Sequence, residues 1–232
     1  MTINRYIWLF FLLGAMLFAS IGNVAAVSGG VKVKRSDRFI RVKYGFPIEE
    51  RDTIVTGENA RVQVILKDGT VVTIGENSEY AFESYRFSDE SASTVSMRLK
   101  RGFFRVMTGE IGKIAPERFK VHTKSATIGI RGTFFFGLLT QKAEKIGCID
   151  GMIVVRTSEG VFRLKAGETL SSDSGGSWQK GAGASSATNG VPAKASSSPL
   201  SDQMPQNTLI QGAAHALSPT LPPSLPPGCD GK

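Results

Sequence analysis

Histidine and cysteine are nearly missing from this 232-residue chain, which has two of each. His122 and His215 cannot assemble a metal cluster with ligand spacing, and Cys148 and Cys229 set a ceiling of one bridge, which excludes a disulfide scaffold. Catalytic patterns are missing too: the chain has no Gly-x-Ser-x-Gly elbow, no phosphate-binding loop and no Cys–His constellation. Carboxylate pairs such as Glu49-Glu50 and Asp89-Glu90 are sequence neighbours in loop-like contexts, where they are solvated rather than catalytic. No amphipathic helical period stands out, and an uncharged apolar run occurs only near the start. These absences point away from an enzyme: no catalytic, cofactor-binding or metal-binding residue and no cofactor is expected.

The early apolar run, residues 7–19, follows Arg5 and leads into the small-residue sequence Val24-Ala25-Ala26. That order predicts a signal peptide over residues 1–26 with cleavage after Ala26, hence an exported protein, periplasmic or extracellular, with no transmembrane span left after cleavage. The alternative is an uncleaved anchor, because residues 7–27 carry no charge and are just long enough to span a bilayer. Export permits a disulfide, but with Cys229 in the tail a half-buried Cys148 and a separate tail thiol are the favoured reading.

The formal charge is +8, of which Arg5 contributes one and leaves +7 after the leader. From residue 173 onward Lys180, Lys194 and Lys232 cancel Asp173, Asp202 and Asp230, so the excess sits in residues 27–172. Nucleic acid is not an expected partner outside the cytoplasm; the expected partners are an envelope protein, an anionic polymer or lipid head groups.

Between residues 31 and 169 the apolar residues alternate in short runs broken by glycine-containing turns, which is the period of strands. Strands are predicted at 31–34, 39–43, 61–66, 71–74, 79–84, 94–100, 103–107, 118–122, 126–130, 133–139, 151–156 and 161–165. Asp68-Gly69 is read as a type I′ hairpin turn. The expected fold class is all-β, a single domain over residues 27–172 built as a β-sandwich or a short β-helix-like coil. Residues 173–232, rich in Ser, Ala, Gly and Pro, are expected to be a disordered tail.

One alternation concerns charge. Lys32 and Lys34 alternate with Val31 and Val33, Arg41 and Lys43 with Ile40 and Val42, and Arg98 and Lys100 with Met97 and Leu99. If these strands are neighbours, six cations share one anion-attracting face; the competing reading is three separate solvated faces. Phe134 and Phe136 fall on one face of their strand and Phe135 on the other, as in a covered strand.

Several short motifs occur in order: Ile54-Val55-Thr56-Gly57, Lys67-Asp68-Gly69-Thr70, Gly75-Glu76-Asn77-Ser78, residues 123–133 ending in Ile130-Arg131-Gly132-Thr133, Asp150-Gly151-Met152-Ile153-Val154 and Lys165-Ala166-Gly167-Glu168. Together they resemble the FecR-type domain over about residues 42–169, with departures at Lys124, where the family has proline, and at Phe134, where a polar residue is common. The resemblance implies an all-β domain of short strands wound in layers. Within it Asp68, Gly69, Thr70, Arg131, Gly132 and Thr133 are expected to be structural, with Arg131 buried and paired. The best-known FecR proteins carry an envelope signal to a cytoplasmic sigma factor through an N-terminal segment. Only six residues precede the apolar run here, so direct sigma-factor control is not carried over. The resulting expectation is a non-enzymatic binding module of the cell envelope. The runner-up is an envelope sensor acting through a separate membrane partner, and an enzyme on wall polymer comes third.

Overall fold

The computed structural model describes residues 20–88, 92–173 and 176–183. Fifteen strands run through them: β1 (Ser20–Ser28), β2 (Val31–Arg35), β3 (Arg38–Arg41), β4 (Pro47–Glu49), β5 (Thr53–Thr56), β6 (Arg61–Leu66), β7 (Val71–Ile74), β8 (Glu79–Arg86), β9 (Thr94–Met107), β10 (Phe119–His122), β11 (Ala126–Leu139), β12 (Glu144–Thr157), β13 (Gly160–Lys165), β14 (Glu168–Ser172) and β15 (Trp178–Ala182). Among the described residues helix is confined to α1 (Ile111–Ile114) and one 3-10 turn (Pro116–Arg118). Burial follows the predicted alternation: in β6, Val62, Val64 and Leu66 are buried while Arg61, Gln63 and Ile65 look outward.

All fifteen strands belong to one hydrogen-bonded sheet, and three long strands fold it over. β9, β11 and β12 have 14 residues each and each holds an internal glycine at positive φ: Gly102 (92°), Gly132 (58°) and Gly151 (78°). Such a glycine bends a strand without ending it. On one side of the bends, β9 pairs with β8 and β10, and β12 with β11 and β13. On the other side β9 pairs with β7 and β11, and β12 with β11 and β14. The result is a sandwich whose corners are strands that change sheets. A single apolar cluster draws on both halves; Tyr80 of the first meets Phe104 of the second at 5.5 Å between ring centroids, and Phe104 meets Phe135 at 5.8 Å.

Several sequence expectations are corrected. Residues 94–100 and 103–107 are one strand, as are 126–130 and 133–139, because Gly102 and Gly132 are bends rather than breaks. The domain does not start at Val27. β1 includes residues 20–26, which had been assigned to the leader; it pairs with β4 and β6 and buries Ile21 and Val24. Ala25-Ala26, read as a cleavage signal, lies at the bulge of that strand. Residues 1–19 lie outside the described residues, so the apolar part of the expected leader is not among them. At the other end β15 falls inside the expected tail: it pairs with β14 and buries Trp178, while the rest of the expected tail beyond residue 183, with Cys229, lies outside the described residues. The turn at Asp68-Gly69 is not type I′. Only Gly69 has positive φ there, and Gly69 N–H donates to the Leu66 carbonyl (3.0 Å) while Leu66 N–H donates to that of Thr70 (2.9 Å); this is a three-residue loop with a glycine bulge. The two-positive-φ turn occurs instead at Ser36 (45°) and Asp37 (65°), joining β2 to β3.

Candidate interaction surface

The motif residues come together as framework. Asp68 is buried, and its carboxylate accepts from Thr70 Oγ1 (2.7 Å), Tyr85 Oη (3.1 Å) and the Ile111 N–H of α1 (3.4 Å). The Asp68 carbonyl accepts from Glu110 N–H (2.8 Å), and Thr70 Oγ1 from Gly109 N–H (3.0 Å). The Asp68-Gly69-Thr70 turn thus holds the segment after β9, and burial beside Asp68 pushes the Tyr85 hydroxyl well above its ordinary range. Thr56 and Ser78 form a second knot. Thr56 Oγ1 donates to the Gly75 carbonyl (2.6 Å) and accepts from Ser78 N–H (2.9 Å), while Ser78 Oγ accepts from Phe103 N–H (2.9 Å).

Arg131-Gly132-Thr133 is the corner of β11. Thr133 N–H donates to Thr108 Oγ1 (3.1 Å), and Thr108 returns N–H and hydroxyl bonds to the Thr133 carbonyl (3.1 and 3.2 Å). A Cβ at Gly151 would land on the Gly132 carbonyl oxygen, whereas one at Gly132 would meet open space. Arg131 is exposed rather than buried and paired. It follows inward-facing Ile130 and so points outward at the bend.

The six candidate cations divide. On the outer face of the first half, the row across the strands reads Arg41, Lys32, Val55, Glu79, set by the registers of β3, β2, β5 and β8. Lys100 lies on β9, two strands beyond β5 and about 14 Å from β2 at ordinary strand spacing. Lys100 binds Glu79 at 2.8 Å, and Arg98 binds Glu83, which also accepts from Ser96 Oγ at 2.9 Å. Lys34 reaches Asp37 at 3.0 Å, with both side chains exposed. Lys32, Arg41 and Lys43 are exposed and have no carboxylate partner among the described residues. Lys32 and Arg41 stand directly opposite each other, an arrangement that costs stability.

Groups that could carry chemistry are placed unhelpfully for it. Burial pushes the Cys148 thiol up to about 11, which leaves little thiolate at neutral pH. His122 Nδ1 lies 3.1 Å from Thr127 Oγ1, and burial together with the Arg98 charge holds its pKa below the ordinary 6.5. Among the described residues no group of three or more His, Cys, Asp or Glu side chains could hold a metal ion, and no helix is long and apolar enough to cross a membrane.

Residues 52–154 match the family described as FecR protein. The chain carries a FecR domain. Two crystal structures of a candidate anti-sigma factor from Parabacteroides distasonis resemble it, with TM-scores of 0.51 and 0.48 and identities of 22% and 23%. Each comparison covers 59% of this chain and 62% of the other; the first shows the fold over part of both proteins. A protein described as a cell surface anchoring domain shares 32% identity over 26% of this chain and 82% of its own, with a TM-score of 0.26. No curated protein gives a significant match.

The family match begins at Asp52, which leaves the β2–β3 hairpin outside it. Asp52 ties the hairpin to the FecR domain: Arg35 donates to both of its carboxylate oxygens (2.8 and 2.6 Å) and to Glu49 (2.6 Å), and stacks over Phe46 at 5.4 Å. Sequence reasoning missed this clasp, which depends on residues 14 to 17 positions apart. It also missed Phe39 and Tyr44, exposed at 60% and 81%. For Phe39 a signal was present, because it shares the parity of Arg41 and Lys43 rather than that of Ile40 and Val42.

Proposed function

We propose that this protein is an exported, non-enzymatic binding module of the cell envelope that meets anionic partners through its β2–β3 hairpin. The observation that carries this reading is the opposition of Lys32 and Arg41, both exposed and without a carboxylate partner among the described residues, with exposed Lys43 two residues beyond Arg41. Like charges held across a strand pair weaken the fold, and an anionic partner offsets that cost. The leader-like start supports export, and the high Cys148 pKa and depressed His122 pKa agree with binding without turnover.

The test is retention of the full chain on an immobilised acidic polysaccharide across a salt series. Exposed charges are screened beyond about 8 Å at physiological ionic strength, so retention should fall steeply with salt. Lys32→Ser/Arg41→Ser/Lys43→Ser should lose retention at an unchanged or slightly raised unfolding midpoint, and Arg98→Ser/Lys100→Ser should keep it. Equal retention of both variants would overturn the hairpin assignment. The FecR domain itself favours a second reading, an envelope sensor acting through a separate membrane protein. In that case cross-linking in intact cells should join the domain to one membrane protein whatever the salt.

A further inference from the structure

The hairpin carries more than charge. Among the described residues β3 pairs with β2 alone and so forms an edge of the first half. Its outer face sets Phe39 opposite Lys34 and Arg41 opposite Lys32. Three residues beyond β3, Tyr44 stands at a turn closed by Phe46 N–H on the Lys43 carbonyl (3.1 Å) and tied to β1 by Gly45 N–H on the Val24 carbonyl (2.8 Å). Two large rings are therefore presented to water on a firmly held edge, at most about 17 Å apart along the chain.

Residues 31–44 contain six basic side chains in all, with Arg35 clasped by Asp52 and Glu49, and a single carboxylate, Asp37, which Lys34 engages. A sugar-hydroxyl site needs acceptors as well as donors, and the outward side chains here supply almost only donors and ring surface. Exposed rings interleaved with lysine and arginine match the water–lipid boundary instead, where aromatic side chains settle at the head-group level and basic ones meet anionic lipids. Resting on the anion-binding reading above, we infer that the β2–β3 hairpin and its following turn seat on an anionic lipid surface, with Phe39 and Tyr44 entering the head-group layer and Lys32, Arg41 and Lys43 facing the lipid charges. The rings add apolar area and the cations add attraction; each basic residue near an anionic leaflet is worth about fivefold in partition, so the three together are worth roughly a hundredfold.

The experiment places tryptophan at the predicted contact, using Phe39→Trp and separately Tyr44→Trp in the full chain with Trp8→Phe, which leaves buried Trp178 as an internal reference. Vesicles of phosphatidylglycerol with phosphatidylcholine should shift the new emission to the blue, and brominated acyl chains should quench it; phosphatidylcholine vesicles should do neither. Phe39→Ser/Tyr44→Ser should weaken vesicle binding while keeping retention on acidic polysaccharide, and Lys32→Ser/Arg41→Ser/Lys43→Ser should lose both. Emission that stays unshifted on phosphatidylglycerol vesicles, with polysaccharide retention intact, overturns lipid seating and leaves the anion-binding module standing. Failure of the parent chain to be retained on any anionic surface overturns both.

Discussion

The FecR framework and the β2–β3 hairpin lie in one sheet and treat polar groups in opposite ways. In the framework Asp68, Thr70, Thr56 and Ser78 are buried and spend their hydrogen-bonding capacity on one another and on the backbone. In the hairpin Lys32 and Arg41 are exposed, opposed and unneutralised. Arg35 marks the boundary, since it belongs to the hairpin by sequence and to the framework by its bonds to Asp52 and Glu49. The contrast teaches that the residues easiest to recognise here are architectural. The exposed cations and rings of the proposed binding surface lie where the family match stops.

The largest effect should come from removing the framework's first strand. A chain beginning at Val27 lacks Ile21 and Val24, each worth about 1.5 to 3 kcal/mol by burial, and strips β6 of most of its pairing on the side away from β7. It should show no cooperative thermal transition by circular dichroism, whereas a chain beginning at Ser20 should melt sharply. Equal melting of the two would place β1 outside the framework.

Asp68→Ala comes next. It strands the Thr70, Tyr85 and Ile111 donors in a buried site, at a cost of roughly 3 kcal/mol, which urea unfolding would report as a lower midpoint. The corner sharpens the comparison within a single motif. Gly151→Ala should cost more than the roughly 1 to 2 kcal/mol of its left-handed backbone, because the new Cβ meets the Gly132 carbonyl; Gly132→Ala should cost only that backbone term. Arg131→Ala, exposed beside them, should move the midpoint by less than about 0.5 kcal/mol. A large loss at Arg131 would return it to the framework.

The smallest expected effect is a pH dependence. Burial, then the Arg98 charge, lowers the folded pKa of His122 below 6.5, so the unfolded chain takes up its proton first as pH falls. The stability due to a neutral His122 is therefore complete above about pH 6.5 and is lost as pH drops through the folded pKa. Glu83 acts lower down: burial opposes its ionisation, but hydrogen bonds from Arg98 and Ser96 outweigh that and hold its pKa below 4.5. Urea midpoints taken from pH 8 to 5 should decline for the parent chain and flatten in that range for His122→Gln; parallel curves would remove His122 from the account.

Alternation is a local property, so the hairpins β6–β7 and β12–β13 and the covering of both Phe135 and Phe136 could be read from the chain. The strands missed were those that need a partner to make sense. β1 carries Ala25-Ala26 and β15 reads Trp-Gln-Lys-Gly-Ala, neither of which resembles a strand until β6 and β14 lie alongside. Arg131 was misjudged because apolar flanks suggest burial, and only the bend at Gly132 turns that position outward.

By itself, the sequence determined an all-β domain, the ordered FecR motifs and the basic parity of three strands, because side-chain direction along a strand depends on nothing but position. Only the tertiary structure decided which strands became neighbours. It set Arg98 and Lys100 beside Glu83 and Glu79 and left Lys32 between Arg41 and Val55. Whether a charge is neutralised depends on what lies one strand away, and contacts between residues distant in the chain determine that.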